Sequence, residues 1–103
     1  MIERDNAASH SGGKQPHHFE IQASDPTTRA RVGILRTRRG EVRTPAFMPV
    51  GTQASVKSLT PDEVRASGTD IILANTYHLM LRPGLAVLEA AGGVQRFMAW
   101  DGP

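Results

Sequence analysis

The chain has 103 residues, a formal net charge of +2 at neutral pH, 39% hydrophobic residues and 21% charged residues. This length allows at most one small domain, and the balance of residue types is globular rather than disordered. The chain contains no cysteine, which excludes disulfides and thiolate metal ligands within it. It has no run of about 18 apolar residues, so the sequence predicts no membrane-spanning helix.

Residues 1–18 differ in composition from the rest of the chain. They are mostly small or polar and include almost no large apolar side chain. Such a segment cannot bury enough surface to offset the entropy lost on ordering, so we predict a disordered tail over residues 1–18 and an ordered part over residues 19–103. The tail also lacks the apolar segment of a signal peptide. The pair His17 and His18 has no third ligand at a useful spacing, so we predict no metal site there.

The first part of the ordered region predicts a small antiparallel sheet. Apolar and polar residues alternate over residues 19–23, and a second apolar pattern covers residues 30–37. Gly40 can take a positive φ in a tight hairpin loop, so residues 41–44 should return antiparallel. Six arginines crowd this region: Arg29, Arg31, Arg36, Arg38, Arg39 and Arg43. They either meet the phosphates of a nucleic acid or cover a solvated strand face.

Two later segments have the continuous apolar character of strands that are buried on both faces. They are residues 46–50 and residues 71–74. Pro49 has no N–H for a strand ladder, so we expect it at an edge, a bulge or the end of the first strand.

Helices are predicted after each of these strands. Thr60 can cap a helix, Pro61 suits its first position, Glu63 completes a capping box, and Gly68 supplies its end. After the second strand, residues 79–82 predict a short helical turn. Residues 85–91 predict a further helix that ends at the glycine pair 92–93.

The order strand, helix, strand, helix predicts an α/β fold with a parallel sheet. Two strands cannot close a barrel or fill both faces of a sheet. We therefore expect the N-terminal antiparallel sheet to be followed by the opening βα units of a larger α/β domain.

Candidate site residues lie at the carboxyl ends of the two apolar strands, where α/β folds place their ligands. Asn75 offers donors and an acceptor to a ribose or base, and His78 could donate to a phosphate; alternatively Asn75 caps the next turn and His78 is structural. Gly51 would allow close approach of a ligand, or forms a simple turn. Arg82 could contact a phosphate or form a surface ion pair.

Several strings resemble the tRNA-guanine transglycosylases (queuine tRNA-ribosyltransferases) of bacteria. Residues 43–52 (RTPAFMPVGT) resemble the opening barrel strand of that family, and residues 60–64 (TPDEV) resemble its next segment. Residues 71–84 (IILANTYHLMLRPG) resemble its most distinctive N-terminal string, and residues 97–103 (FMAWDGP) the stretch before its next strand. The resemblance covers residues 19–103 and identifies the chain as the N-terminal part of such an enzyme.

The resemblance implies a (β/α)8 TIM barrel with an N-terminal antiparallel sheet and a structural zinc site. Members of the family exchange guanine at the tRNA wobble position for a 7-deazaguanine base during queuosine biosynthesis. One aspartate attacks the ribose and forms a covalent intermediate, while a second handles protons, as in retaining glycosyl transfer. The resemblance also implies a homodimer in bacterial members and a cytoplasmic enzyme without a membrane segment.

Only a few functional residues carry over to this sequence. The resemblance places Val50, Leu73 and Asn75 near the ribose-binding part of the pocket, and residues 76–79 near the dimer interface. Both catalytic aspartates and all zinc ligands are expected beyond residue 103, and Asp101 is not the counterpart of either aspartate. The chain alone is therefore expected to be an inactive, truncated part of the enzyme. The alternatives are a stand-alone RNA-binding module and a non-catalytic partner subunit.

Overall fold

The computed structural model describes residues 17–103, so the predicted tail lies outside the described residues except for its last two. His18 is already the first residue of a strand. None of the helices described is long and apolar enough to cross a membrane. In chain order, the described elements are β1 (His18–Ser24), β2 (Arg31–Thr37), β3 (Gly40–Thr44), α1 (Pro61–Ala66), α2 (Thr76–Leu81), α3 (Leu85–Ala91) and α4 (Val94–Met98).

The three strands form one antiparallel sheet in the order β1-β2-β3, which confirms the predicted N-terminal sheet. Gly40 has a φ of 134° where β2 turns into β3. The Thr37 hydroxyl donates to the Gly40 carbonyl oxygen at 2.8 Å and accepts from the Arg39 N–H at 3.1 Å. These bonds close the hairpin at the predicted glycine.

One face of the sheet is apolar because a row of large side chains crosses all three strands. Phe19 pairs with Leu35, and Leu35 pairs with Val42, which is one of the most completely buried residues described. The Phe19 ring also covers Gly33, where an added Cβ would lie 2.7 Å from the ring's Cζ atom. A side chain at residue 33 would therefore collide with this face of the sheet.

Helix α1 begins and ends as its sequence predicts. The Glu63 N–H donates to the Thr60 hydroxyl oxygen at 3.2 Å, and the Thr60 N–H donates to Glu63 Oε2 at 2.7 Å. This reciprocal pair is a capping box, which satisfies N–H groups that a helix start leaves without partners. Val64 anchors the inner face of the helix, and Gly68 follows it with a φ of 87°.

The two predicted parallel strands form only a single bridge, between Val50 and Leu73. The bridge is parallel, with the Gly51 N–H donating to the Leu73 oxygen at 2.7 Å and the Leu73 N–H to the Pro49 oxygen at 2.9 Å. The prediction of full strands buried on both faces is wrong for this chain, since Phe47 is 82% exposed. Pro49 contributes no N–H, and the other edge of residues 47–50 has no strand beside it among the described residues. A TIM barrel therefore stays a prediction.

The helices after the bridge differ from their predictions in two places. Helix α2 begins at Thr76 rather than at residue 79, because Asn75 caps it, while α3 has the predicted bounds. Helix α4 was not predicted; it lies between Gly93, with a φ of 110°, and Ala99, with a φ of 54°. A small core joins the loop after Val50 to α2, α3 and α4. It consists of Ala54, Leu79 and Leu88, with Ala74, Val94 and Met98 packed against them.

Candidate functional site

The parallel bridge brings two of the three predicted substrate-binding residues side by side. Val50 and Leu73 are partners in the bridge, and each remains about half exposed. Because the pairing is parallel, the chain leaves both residues in the same direction, towards Thr52 on one segment and Asn75 on the other. Val50 and Leu73 thus lie side by side at the carboxyl end of the paired segments, and Asn75 follows Leu73 by two residues at that same end.

Asn75 caps helix α2, as one of the two sequence-based alternatives predicts. Its Oδ1 atom accepts from the Tyr77 N–H at 2.9 Å and from the His78 N–H at 3.4 Å. None of the hydrogen bonds among residues 17–103 uses its side-chain nitrogen. The cap fixes the side chain with its acceptor facing the helix, which leaves the amide NH₂ available as a donor to a ligand.

The segment 76–79, which the resemblance places near the dimer interface, forms the first turn of α2. Tyr77 is 62% exposed, and its ring meets that of His78 edge to face with centroids 5.8 Å apart. Leu79, by contrast, is buried in the small core. Only the polar and aromatic side of this turn is therefore open to a partner.

A polar groove lies next to Val50 that the sequence reasoning did not single out. Its volume is about 500 Å³, and its lining consists of Val50, Thr52, Gln53, Ser55, Lys57 and Ser58. The loop that forms it contains two non-glycine residues with positive φ, Ala54 at 56° and Ser58 at 66°. Such angles are uncommon outside glycine and persist only where packing holds them, as the burial of Ala54 does here. The available signal was a lysine among hydroxyl residues directly after an apolar run.

The arginines of the sheet have varied surroundings. The Arg36 guanidinium contacts Glu41 and lies 3.4 Å from Glu20, and Arg31 lies over the Phe19 ring at 5.8 Å. These two fit a solvated strand face better than a phosphate site. Arg39 instead borders a groove of about 490 Å³ together with residues of α1, α4 and the segment after α4.

The described residues do not fit the zinc site that the resemblance implies. Within residues 17–103 no three histidine, aspartate or glutamate side chains are grouped closely enough to hold a metal ion. The sequence also has no cysteine to supply a thiolate.

Comparison with known proteins gives a consistent result. A family model described as Queuine tRNA-ribosyltransferase matches residues 25–103. Among curated proteins, the queuine tRNA-ribosyltransferase of Roseiflexus sp. is 58% identical over 85 residues, which are 82% of this chain and 21% of the relative. That of Desulforudis audaxviator is 60% identical over 85 residues, with 82% and 23% covered.

The chain spans only about a fifth to a quarter of the length of the curated relatives that it matches. The matched range, residues 25–103, contains the Val50–Leu73 bridge, Asn75 and helix α1. On this evidence, the chain belongs to the queuine tRNA-ribosyltransferase family.

Proposed function

We propose that this chain is the N-terminal part of a tRNA-guanine transglycosylase and supplies one wall of its ribose-binding pocket. The whole enzyme would exchange guanine at the tRNA wobble position for a 7-deazaguanine base in queuosine biosynthesis, through a covalent aspartyl-ribose intermediate. The single observation that carries the proposal is the parallel bridge between Val50 and Leu73, with Asn75 following it at the same edge.

Each of the three residues has a distinct role in this proposal. Val50 and Leu73 present half-exposed apolar side chains that can pack against the carbon face of a ribose. Asn75 directs its amide donor to a sugar hydroxyl, because its oxygen is already committed to the cap of α2. The three residues bind and orient the nucleotide, and none of them handles a proton.

The catalytic carboxylates of the proposed reaction are not assigned to this chain. Asp101 has no free role at the bridge, since it is ion-paired with Arg65 on α1. In the proposed reaction the attacking carboxylate and the proton-handling carboxylate come from outside residues 17–103. The 103-residue chain alone is therefore expected to have no exchange activity.

The remaining parts of the proposal concern the whole protein. A homodimer would use the exposed side of the α2 turn at Tyr77. A cytoplasmic location would follow from a tRNA substrate. Zinc would be held by residues outside the described part of the chain, and no step of the proposal depends on it.

A chimera tests the proposal. The matching segment of the Roseiflexus relative is replaced by residues 25–103 of this chain, and incorporation of labelled guanine into tRNA with a wobble guanine is measured. We expect exchange by the chimera and none by the 103-residue chain. A folded chimera that exchanges no guanine, beside an active unaltered relative, would refute the proposed role. Exchange by the 103-residue chain alone would refute the assignment of the carboxylates.

A further inference from the structure

A third segment of the chain lies beside the bridged pair, on the side away from Val50. The Leu73 N–H donates to the Pro49 oxygen, whereas the Ile72 N–H donates to the Pro103 oxygen at 3.2 Å. Successive residues of an extended segment direct their N–H groups to opposite sides. Residues 72–73 therefore lie between the Pro49 segment and Pro103.

Trp100 fixes the position of Pro103. Its indole Nε1–H donates to the same Pro103 oxygen at 2.9 Å, so this oxygen accepts both from the indole and from the Ile72 N–H. The ring also lies against Gly102, where an added Cβ would be 2.9 Å from Nε1 and 3.1 Å from Cε2. The indole is almost completely buried, and its only donor is thus used to hold the chain next to Ile72.

Helix α1 joins this arrangement through Arg65. The central carbon of its guanidinium lies 4.4 Å from the centroid of the Trp100 ring, within the range of a cation–π contact. The guanidinium also contacts Asp101, but the side chain of Asp101 is 90% exposed, and an exposed ion pair stabilises little. Of the two contacts of Arg65, the stack on the indole is therefore expected to stabilise the structure more than the ion pair does.

Arg65, Trp100, Gly102 and Pro103, here named the indole clamp, connect α1 to the Ile72 backbone. A tryptophan that served only to fill a core would need an acceptor for its N–H, but any acceptor would do. Here the acceptor is the Pro103 oxygen, which also accepts from the Ile72 N–H. The indole therefore determines that Pro103, and not a neighbouring residue, lies beside Ile72.

We propose that Arg65 and Trp100 are positioning residues that set the register of the third segment against the Val50–Leu73 pair. This inference rests on the proposed function, in which adjacent segments contribute side chains to one pocket. A slip of one residue moves a segment by about 3.3 Å and turns its side chains to the opposite face. A displacement of about 1 Å in an active site can reduce a rate on the order of a hundredfold.

Hydrogen exchange of two neighbouring amides tests the clamp in the chimera described above. In the Trp100→Phe variant, the ring remains but its donor is lost. We expect the Ile72 amide to exchange about tenfold faster while the Leu73 amide, which donates to Pro49, changes by less than about twofold. The Arg65→Met variant should have the same effect, and Arg96→Met, which borders the same groove without stacking on the indole, should not.

Each other result of the exchange experiment overturns the inference. Equal acceleration at Ile72 and Leu73 would mean that the ring stabilises the chain as a whole. No acceleration at Ile72, or no protection of it in the folded, unaltered chimera, would mean that the clamp does not hold Pro103.

The chimera described above supplies a functional measurement. We expect Trp100→Phe and Arg65→Met to lower its kcat about tenfold or more, with KM for guanine within about twofold, because register affects the reacting geometry. Asp101→Asn removes the ion pair and keeps the stack, so it should leave kcat within about threefold. Unchanged kcat in the first two variants would overturn the inference. An inactive unaltered chimera would count against the proposed function, while the amide exchange would still decide the clamp.

Discussion

Asn75 caps α2 in the structure, and we propose that the same side chain also binds the substrate. Its oxygen caps α2 through the Tyr77 and His78 N–H groups, which leaves its NH₂ group for a substrate. We predict that Asn75→Asp keeps the cap and removes the donor, so the chimera should keep its stability but lose about tenfold in kcat/KM. Asn75→Ala should lose both the cap and the donor, so its free energy of unfolding should also fall by about 1 kcal/mol.

Steady-state guanine exchange and urea unfolding of the two variants measure these effects separately. Equal kcat/KM for Asn75→Asp and the unaltered chimera would contradict a donor role. An equal loss of stability in Asn75→Asp and Asn75→Ala would contradict the cap.

Glu63 provides a test of the capping box by pH. The Thr60 backbone N–H, and after it the Thr60 hydroxyl, bind the carboxylate and lower the pKa of Glu63 below its ordinary value of 4.5. Because the pKa is lower in the folded state, this carboxylate stabilises α1 above its ordinary pKa. That contribution is lost as the pH falls through the lowered pKa.

An NMR titration of the Glu63 carboxyl carbon should therefore give a pKa below 4.5. The Thr60→Ala variant should show a smaller lowering of the pKa, since it keeps the backbone N–H and lacks the hydroxyl. A Glu63 pKa at or above the ordinary value in the unaltered chain would contradict the box.

Among single residues, those with local roles could be predicted from the sequence and those with distant partners could not. Thr60, Glu63 and Gly68 were predicted because a helix start and end are determined within a few residues. The sequence leaves two alternatives for Asn75, because an asparagine after a strand suits both a helix cap and a ligand contact. The stack of Arg65 on Trp100 joins residues 35 positions apart in the chain, and no local pattern indicates it.

At the scale of elements, Gly33 couples β1 to β2. An added Cβ would lie 2.7 Å from the Glu20 carbonyl oxygen as well as 2.7 Å from the Phe19 ring. We predict that Gly33→Ala destabilises this pairing by about 1–3 kcal/mol, which is the usual cost of overpacking. Faster hydrogen exchange of the β1 amides would report it.

Two further variants make this measurement specific. Gln22→Ala, a change at an exposed residue of β1, should alter the protection of the β1 amides by less than about 0.5 kcal/mol. Phe19→Leu in the Gly33→Ala background should restore little, because the contact with the Glu20 oxygen remains. Full restoration would show that the ring alone is responsible.

The elements that the sequence predicted well are those that complete their hydrogen bonds locally. The hairpin at Gly40 and the helices α1 and α3 need no distant partner. The segments 46–50 and 71–74 have the composition of buried strands, but parallel sheets occur almost only where both faces are covered by other elements. Here each segment has too few neighbours, and only the Val50–Leu73 bridge results. Helix α4 was missed because five residues between two turns leave too short a pattern.

At the scale of the whole molecule, the described part of the chain leaves much of its apolar surface exposed. Among the described residues, 14 large hydrophobic side chains are exposed, against six buried hydrophobic residues. A small domain is stable by only a few kcal/mol, so this much unburied apolar surface leaves little net stability for the chain alone. In the proposed whole enzyme, further segments would cover part of this surface.

The backbone edge beside the Val50–Leu73 bridge is apolar and exposed. Phe47 is 82% exposed, and Met48 and Val50 are about half exposed on a segment whose outer backbone edge has no partner among the described residues. An apolar edge of this kind pairs readily with another chain, so we predict that the 103-residue chain self-associates as its concentration rises.

A charge on an edge opposes such pairing, so Phe47→Lys should shift sedimentation profiles towards the monomer. Leu85→Lys, at a residue 59% exposed on α3, is the matched control and should shift them less. The prediction would be contradicted by an unaltered chain that stays monomeric at all concentrations and unfolds in one sharp, reversible transition. That result would instead support an autonomous domain and the alternative of a stand-alone module.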